Sequence, residues 1–162
     1  MGEQLASGTA VVEVDLPDGG EAAGARPMRA DAKRNYEKLV AAARTMFARE
    51  GGGVSMEAVA KEAGVGIGTL YRHFPKRIDM VEAVYVEDVT ELVVSAEQLV
   101  ADLQPWDALA GWLRAFVKYA SAKRMFLNEL HEAFEENPDL RSASRERIIT
   151  AIDIVLVPAQ EA

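Results

Sequence analysis

From Ala32 onward apolar residues return every three or four positions, and the chain divides wherever that rhythm breaks. Tyr36, Leu39, Val40, Ala43 and Phe47 form the first helical stripe, with Asp31 placed to cap it. Gly51, Gly52 and Gly53 end it, because each glycine inside a helix costs about 1 kcal/mol relative to alanine. A short second helix follows from Ser55, whose hydroxyl suits the N-cap, with Glu57 favouring the positive end of the helix dipole. Val59, Ala60 and Ala63 give it a small apolar face, and Lys61 and Glu62 point to water. Gly64 closes it, since glycine adopts the positive φ common just past a helix end, and Val65 can plug the junction. A third helix starts near Gly66 or Ile67 and runs through Phe74.

Beyond Phe74 the same period continues on a larger scale. Pro75 opens a long helix with the stripe Met80, Val81, Val84, Tyr85, Val89, Leu92, Val93, Ala96, Leu99, Val100 and Leu103. About 28 residues at 1.5 Å each reach roughly 42 Å, enough for a lever between two ends of the protein. Pro105 interrupts it. Trp106, Leu109, Trp112, Leu113, Phe116, Val117 and Ala120 mark another amphipathic helix, and Met125, Phe126, Leu130 and Phe134 a further one. Asn137 and Pro138 suit the cap and first turn of a last helix, with Ile148, Ile149, Ile152, Val155 and Leu156 on its apolar face and Pro158 at its close. The expected fold is all-α: a three-helix head over 28–76, joined by the long helix to a helical bundle over 77–162. Residues 1–27 are acidic and without a period, and read as a disordered tail.

The second and third helices, meeting at Gly64, have the form of a helix-turn-helix, in which one helix braces another whose N-terminal residues enter the major groove. Leu70 and Phe74 stand i and i+4 on the core side of the third helix. Ile67, Thr69, Tyr71, Arg72 and His73 cannot all be buried by the same neighbour, so several face outward. Gly66 and Gly68 in so short a helix imply a backbone that must approach something closely, and a phosphate or base edge is the natural candidate. Ser55 and Met56 offer backbone N–H groups to a phosphate at the N-terminus of the bracing helix, simple capping being the alternative. Arg29, Lys33 and Arg34 read either as a basic approach to DNA or as a solvated helix start.

The net charge of −8 by itself argues against nucleic acid. Its distribution reverses that inference: residues 1–25 hold five acids and no base, 26–80 eleven bases and six acids, and 81–162 seven bases and fifteen acids. The positive block is the helix-turn-helix block, and screening over about 8 Å keeps its attraction local. The absence of cysteine leaves no disulfide, thiolate metal site or cysteine nucleophile and suits a reducing cytoplasm. No apolar run approaches the roughly 18 to 20 residues of a membrane span. His131 with Glu135 one turn on, near Glu129 and Glu132, falls short of a metal-ligand set. Without a phosphate loop or nucleophile elbow, the expectation is a protein that is not an enzyme and holds no metal or cofactor.

The run AGVGIGTLYRHFPKR, residues 63–77, resembles the recognition segment of the TetR family of bacterial transcriptional repressors, where a small residue, Gly-Thr-Leu-Tyr, His-Phe and a following basic residue recur. The resemblance extends upstream through Ser55, Val59 and Ala60 and, more loosely, downstream to about Val157. It implies a repressor that holds a palindromic double-stranded DNA operator as a homodimer and is released by a small-molecule effector. It implies base-edge contacts from the early positions of the recognition helix, and phosphate contacts from Tyr71, His73 and the basic residue after proline, here Arg77. It also implies an effector cavity among the distal helices, for which Tyr85, Trp112, Phe116, Tyr119, Met125, Phe126 and Phe134 are the candidates, or else ordinary core. Two departures qualify this. Gly52 and Gly53 replace larger residues, so the junction is expected to pack less firmly and the head to be mobile. The sequence also ends at Ala162, where relatives continue into two more helices that form much of the dimer interface. That puts the dimer in doubt and leaves as the alternative a truncated helical interaction module, pairing with a full-length relative without binding an operator.

Overall fold

The computed structural model describes residues 22–162, with side chains from residue 28. The described residues form seven α-helices: α1 Ala22–Glu50, α2 Met56–Ala63, α3 Ile67–His73, α4 Arg77–Asp102, α5 Pro105–Lys123, α6 Leu127–Glu136 and α7 Pro138–Glu161. Short 3-10 turns at Gly51–Gly53 and Arg124–Phe126 join α1 to α2 and α5 to α6, and there is no strand among the described residues. The fold is the all-α arrangement that the periodicity predicts.

At its N-terminal end the helical pattern reaches further than expected. Residues 1–21 of the expected tail lie outside the described residues, but α1 is already formed at Ala22, ten residues before the stripe begins. Alanine at 22, 23, 25, 30 and 32 favours the helix, against the cost of Gly24 and Pro27 in the same stretch. Asp31 therefore stands inside α1 and pairs with Arg34 instead of capping a helix.

Helix α4 is the spine. It packs on α1 of the head and on α5, α6 and α7. The larger core joins Leu39, Ala43 and Phe47 of α1, Val59 of α2 and Leu70 of α3 to Met80, Val81, Val84 and Val89 of α4 and Phe126 and Leu130 beyond it. A smaller core gathers Leu92 and Ala96 of α4, Trp112 of α5 and Ala151 and Val155 of α7. The Trp112 indole N–H donates to the Leu92 carbonyl at 3.0 Å, so α5 is keyed to α4 by a directional bond as well as by packing.

Four expectations are corrected by this packing. The long helix starts at Arg77, with Pro75 in the preceding turn and the Asp79 carboxylate accepting the Lys76 N–H at 2.8 Å. Leu103, Trp106, Leu113, Val117, Met125 and Ile149 are exposed although they lie on the expected apolar stripes, because none of the described helices covers that side of them. Helix α7 runs through Pro158 to Glu161, the proline forfeiting its own N–H bond and crowding the carbonyl one turn back while only three further residues follow it in the helix. The glycine junction is also clasped. Gly51 is buried at φ +79°, and a Cβ there would sit 2.9 Å from the Met125 carbonyl oxygen. Arg77 donates to the Gly52 and Val54 carbonyls, so the small residues let the distal helices close onto the junction.

Candidate nucleic-acid interface

Local chemistry sets the angle between α2 and α3. Ser55 is extended at φ −82° and ψ 155°, and its hydroxyl accepts the Ala58 N–H at 3.1 Å. Gly64 is left-handed at φ 63° and ψ 33°. Its N–H donates to the Lys61 carbonyl at 3.2 Å and the Val65 N–H to the Ala60 carbonyl at 3.0 Å. This 6→1 and 5→2 pair ties off the helix end. Val65 is buried at the corner. The Gly66 carbonyl then accepts the N–H groups of Thr69 and Leu70, both at 3.0 Å, and starts α3.

Leu70 and Phe74 fix which way α3 faces, being 0% and 2% exposed. Gly66, Ile67, Gly68, Tyr71 and Arg72 are exposed on the opposite side, and Thr69 and His73 are half-buried at its edges. A Cβ on Gly68 would meet nothing within 4 Å, and one on Gly66 only the Thr69 hydroxyl at 4.0 Å. Neither glycine has a positive φ. The protein's own packing and backbone therefore do not require glycine at either position.

Supporting contacts orient the polar groups. The Tyr71 hydroxyl donates to the Glu57 carboxylate at 3.4 Å, a long bond across from α3 to the first turn of α2. His73 meets the Tyr36 ring edge-on at 6.0 Å between centroids, and Tyr36 lies 5.3 Å from Phe74. Burial and the nearby Glu87 raise the Tyr36 pKa. The Met56 side chain is buried, so what that residue presents at the start of α2 is its backbone N–H, which has no carbonyl one turn behind it.

The basic residues fall into two groups. Lys61 and Arg72 are exposed and carry no ion pair among the described residues. Arg29 is exposed, and the exposed Lys33 and Arg34 pair along their own helix with Glu37 and Asp31. Lys76 lies 3.5 Å from Glu136. Arg77, expected to hold a phosphate, turns inward. Its guanidinium is bonded to the Gly52 and Val54 carbonyls and lies 5.5 Å from the Phe47 ring centroid, which makes it a clasp of the head.

The candidate effector residues scatter. Trp112 stacks on Phe116 at 5.6 Å, Tyr85 meets Phe134 edge-on at 5.2 Å, and Phe126 packs on Phe47 at 5.5 Å. A cavity of about 390 Å³ opens between α1, α4 and α5, and of these aromatic residues it touches only Tyr119 and Phe126. Its polar lining holds Thr45, Ser95, Lys118 and Arg44, the last paired with both Asp88 and Glu91. These residues escaped the sequence reading, although Arg44 interrupts the stripe between Val40 and Phe47 and Asp88 the stripe between Tyr85 and Leu92. Burial raises the Asp88 pKa despite the opposing pull of Arg44. The Lys123 ammonium sits 4.1 and 4.3 Å from the Tyr85 and Tyr119 ring centroids, and burial lowers its pKa to about 8. Away from both sites, His131 is exposed beside Glu135 at 3.3 Å.

Comparison with known proteins finds the same head. Residues 39–84 match the family model of bacterial regulatory proteins, tetR family. An HTH-type transcriptional regulator of Staphylococcus aureus is 38% identical over 76 residues, 46% of this chain, and this chain spans only 41% of that relative's length. A TetR transcriptional regulator from Streptomyces coelicolor superposes with a TM-score of 0.69 at 38% identity, over 78% of this chain and 72% of that one. A TetR transcription regulatory protein from Mycobacterium vanbaalenii does so with a TM-score of 0.70 at 36% identity, over 83% and 81%. With identity at this level sustained over most of two solved structures, this chain belongs to the TetR family.

Proposed function

We propose that this chain is a DNA-binding transcriptional regulator, a repressor that grips a palindromic operator as a twofold pair and is released by a small-molecule effector. The observation that carries the reading is the outer face of α3, where Gly66 and Gly68 keep the surface low although the protein itself has room for a side chain at both. Ile67, Gly68 and Thr69 would approach base edges. Tyr71, Arg72, His73 and the N–H groups at Ser55 and Met56 would hold phosphates, with the Tyr71 hydroxyl passing from Glu57 to a phosphate oxygen. The excess of bases over acids in residues 26–80 favours the same surface.

Gel-shift titration against duplexes from the upstream region of the protein's own gene tests this. Affinity should fall with roughly one power of salt per phosphate neutralised. Thr69→Ala should reorder preferences among sequences, whereas Arg72→Ala should weaken all of them alike. Binding that is absent, or indifferent to salt, overturns the reading.

A further inference from the structure

The cavity between α1, α4 and α5 stands at the joint between the head and the distal helices, and its lining mixes hydroxyls, carboxylates and cations. The Thr45 hydroxyl donates to the Ala41 carbonyl at 3.0 Å and the Ser95 hydroxyl to the Leu92 carbonyl at 2.7 Å, so each turns lone pairs, not a proton, to other partners. Asp88, only 7% exposed, and Glu91 add carboxylates, and the exposed Lys118 of α5 is the second cation of the lining. The one cation meeting both acids at salt-bridge distance among the described residues is Arg44, reaching across from α1. Leu92, Ala115, Tyr119 and Phe126 supply an apolar and aromatic floor. The two carboxylates neutralised by Arg44, with an aromatic side and a volume of about 390 Å³, suit a positively charged organic molecule able to take the guanidinium's place.

Arg44 also borders a second recess of about 250 Å³, lined by Tyr36, Glu37 and Glu87 among others. A guanidinium displaced from Asp88 and Glu91 thus has two further carboxylates within its own surroundings. Tyr36 in that recess is the residue whose ring touches His73 and Phe74 of α3.

We propose that the α1–α4–α5 cavity binds a small organic cation, an ammonium or amidinium on an apolar body, which replaces the Arg44 guanidinium on Asp88 and Glu91 and sends Arg44 toward the Tyr36 recess. The binding step stands independently of the regulator reading; the consequence for DNA rests on it.

Calorimetric titration of the full chain with benzamidinium, and with its neutral and anionic counterparts benzamide and benzoate, tests the site. Only benzamidinium should bind saturably. Asp88→Asn, and separately the more exposed Glu91→Gln, should each weaken it about tenfold or more. Arg44→Ala removes the competitor and should tighten it, the opposite of what a purely structural Arg44 would give. Failure of benzamidinium to bind, equal binding of benzamide or benzoate, or indifference to both acid substitutions overturns the proposal. A gel shift in the presence of benzamidinium separates the two readings: carboxylate-dependent cation binding that leaves DNA affinity unchanged supports the site and refutes release through it.

Discussion

On the outer face of α3, Arg72 stands in solvent without an ion pair among the described residues, and so does Lys61 one helix away. Where the head meets α4, Arg44 and Arg77 are both engaged, one with Asp88 and Glu91 and the other with two backbone carbonyls. Glycines divide in the same way. Gly51, at the joint, is buried with a positive φ, while Gly66 and Gly68, on the face, have open space above them. Residues of the same type thus complete the protein's own structure in one region and are left available in the other. Availability, not residue type, distinguishes a surface suited to an external partner.

The largest effect should come from the shared foundation of both regions. Leu70 is fully buried beneath α3, and Leu70→Ala should destabilise the protein by about 2–5 kcal/mol through lost burial and the cavity left behind. Urea unfolding measures this directly. A loss below about 1 kcal/mol would mean that α3 is not held by its inner face.

Next comes the contrast between the two arginines. Arg77→Ala orphans the Gly52 and Val54 carbonyls and should cost about 1–3 kcal/mol in the same unfolding assay. Arg72→Ala should leave unfolding within about 0.5 kcal/mol of the parent and instead lower the salt dependence of DNA binding by about one power. Equal effects of the two substitutions in both assays would erase the distinction drawn above.

Sequence carried the local half of this picture. The Ser55 cap, the Gly64 turn with its Val65 plug, and the Leu70 and Phe74 pair are legible because each is decided within five residues. The role of Arg77 is not local: its carbonyl partners lie 23 and 25 residues earlier and meet it only once α1, α2 and α4 have closed together. Arg44 and Asp88 do leave a trace, a charge inside each apolar stripe, but their pairing depends on how α1 crosses α4. The exposure of Leu113 and Val117 is illegible for a related reason, since a stripe records that a helix is amphipathic and not how many neighbours cover it.

A smaller effect probes the joint through pH. Burial holds Lys123 at a pKa of about 8, below its ordinary value of 10.5. Between these values the unfolded chain binds more protons than the folded one, so stability should rise as pH increases from about 8 toward 10. Above that range the raised pKa values of Tyr36 and Tyr119 work in the opposite sense, because the unfolded chain loses those protons first. Lys123→Met should flatten the rise, and a slope unchanged by the substitution would assign it to another group.

The subtlest test uses a single methyl group and two assays. Gly68 is the second residue of α3, its φ is not positive, and a Cβ would meet nothing within 4 Å. For the protein alone Gly68→Ala should therefore be neutral or stabilising, by up to about 1 kcal/mol, because alanine loses less backbone freedom on entering a helix. For a duplex laid against α3 the same methyl pushes the backbone away from its partner, and affinity should fall. Gly51→Ala should behave in the opposite manner, lowering stability through its positive φ and its contact with the Met125 carbonyl while leaving the α3 surface untouched. If Gly68→Ala raises stability and leaves DNA affinity intact, the low surface of α3 serves no close approach, and the contrast between the two classes of glycine loses its functional meaning.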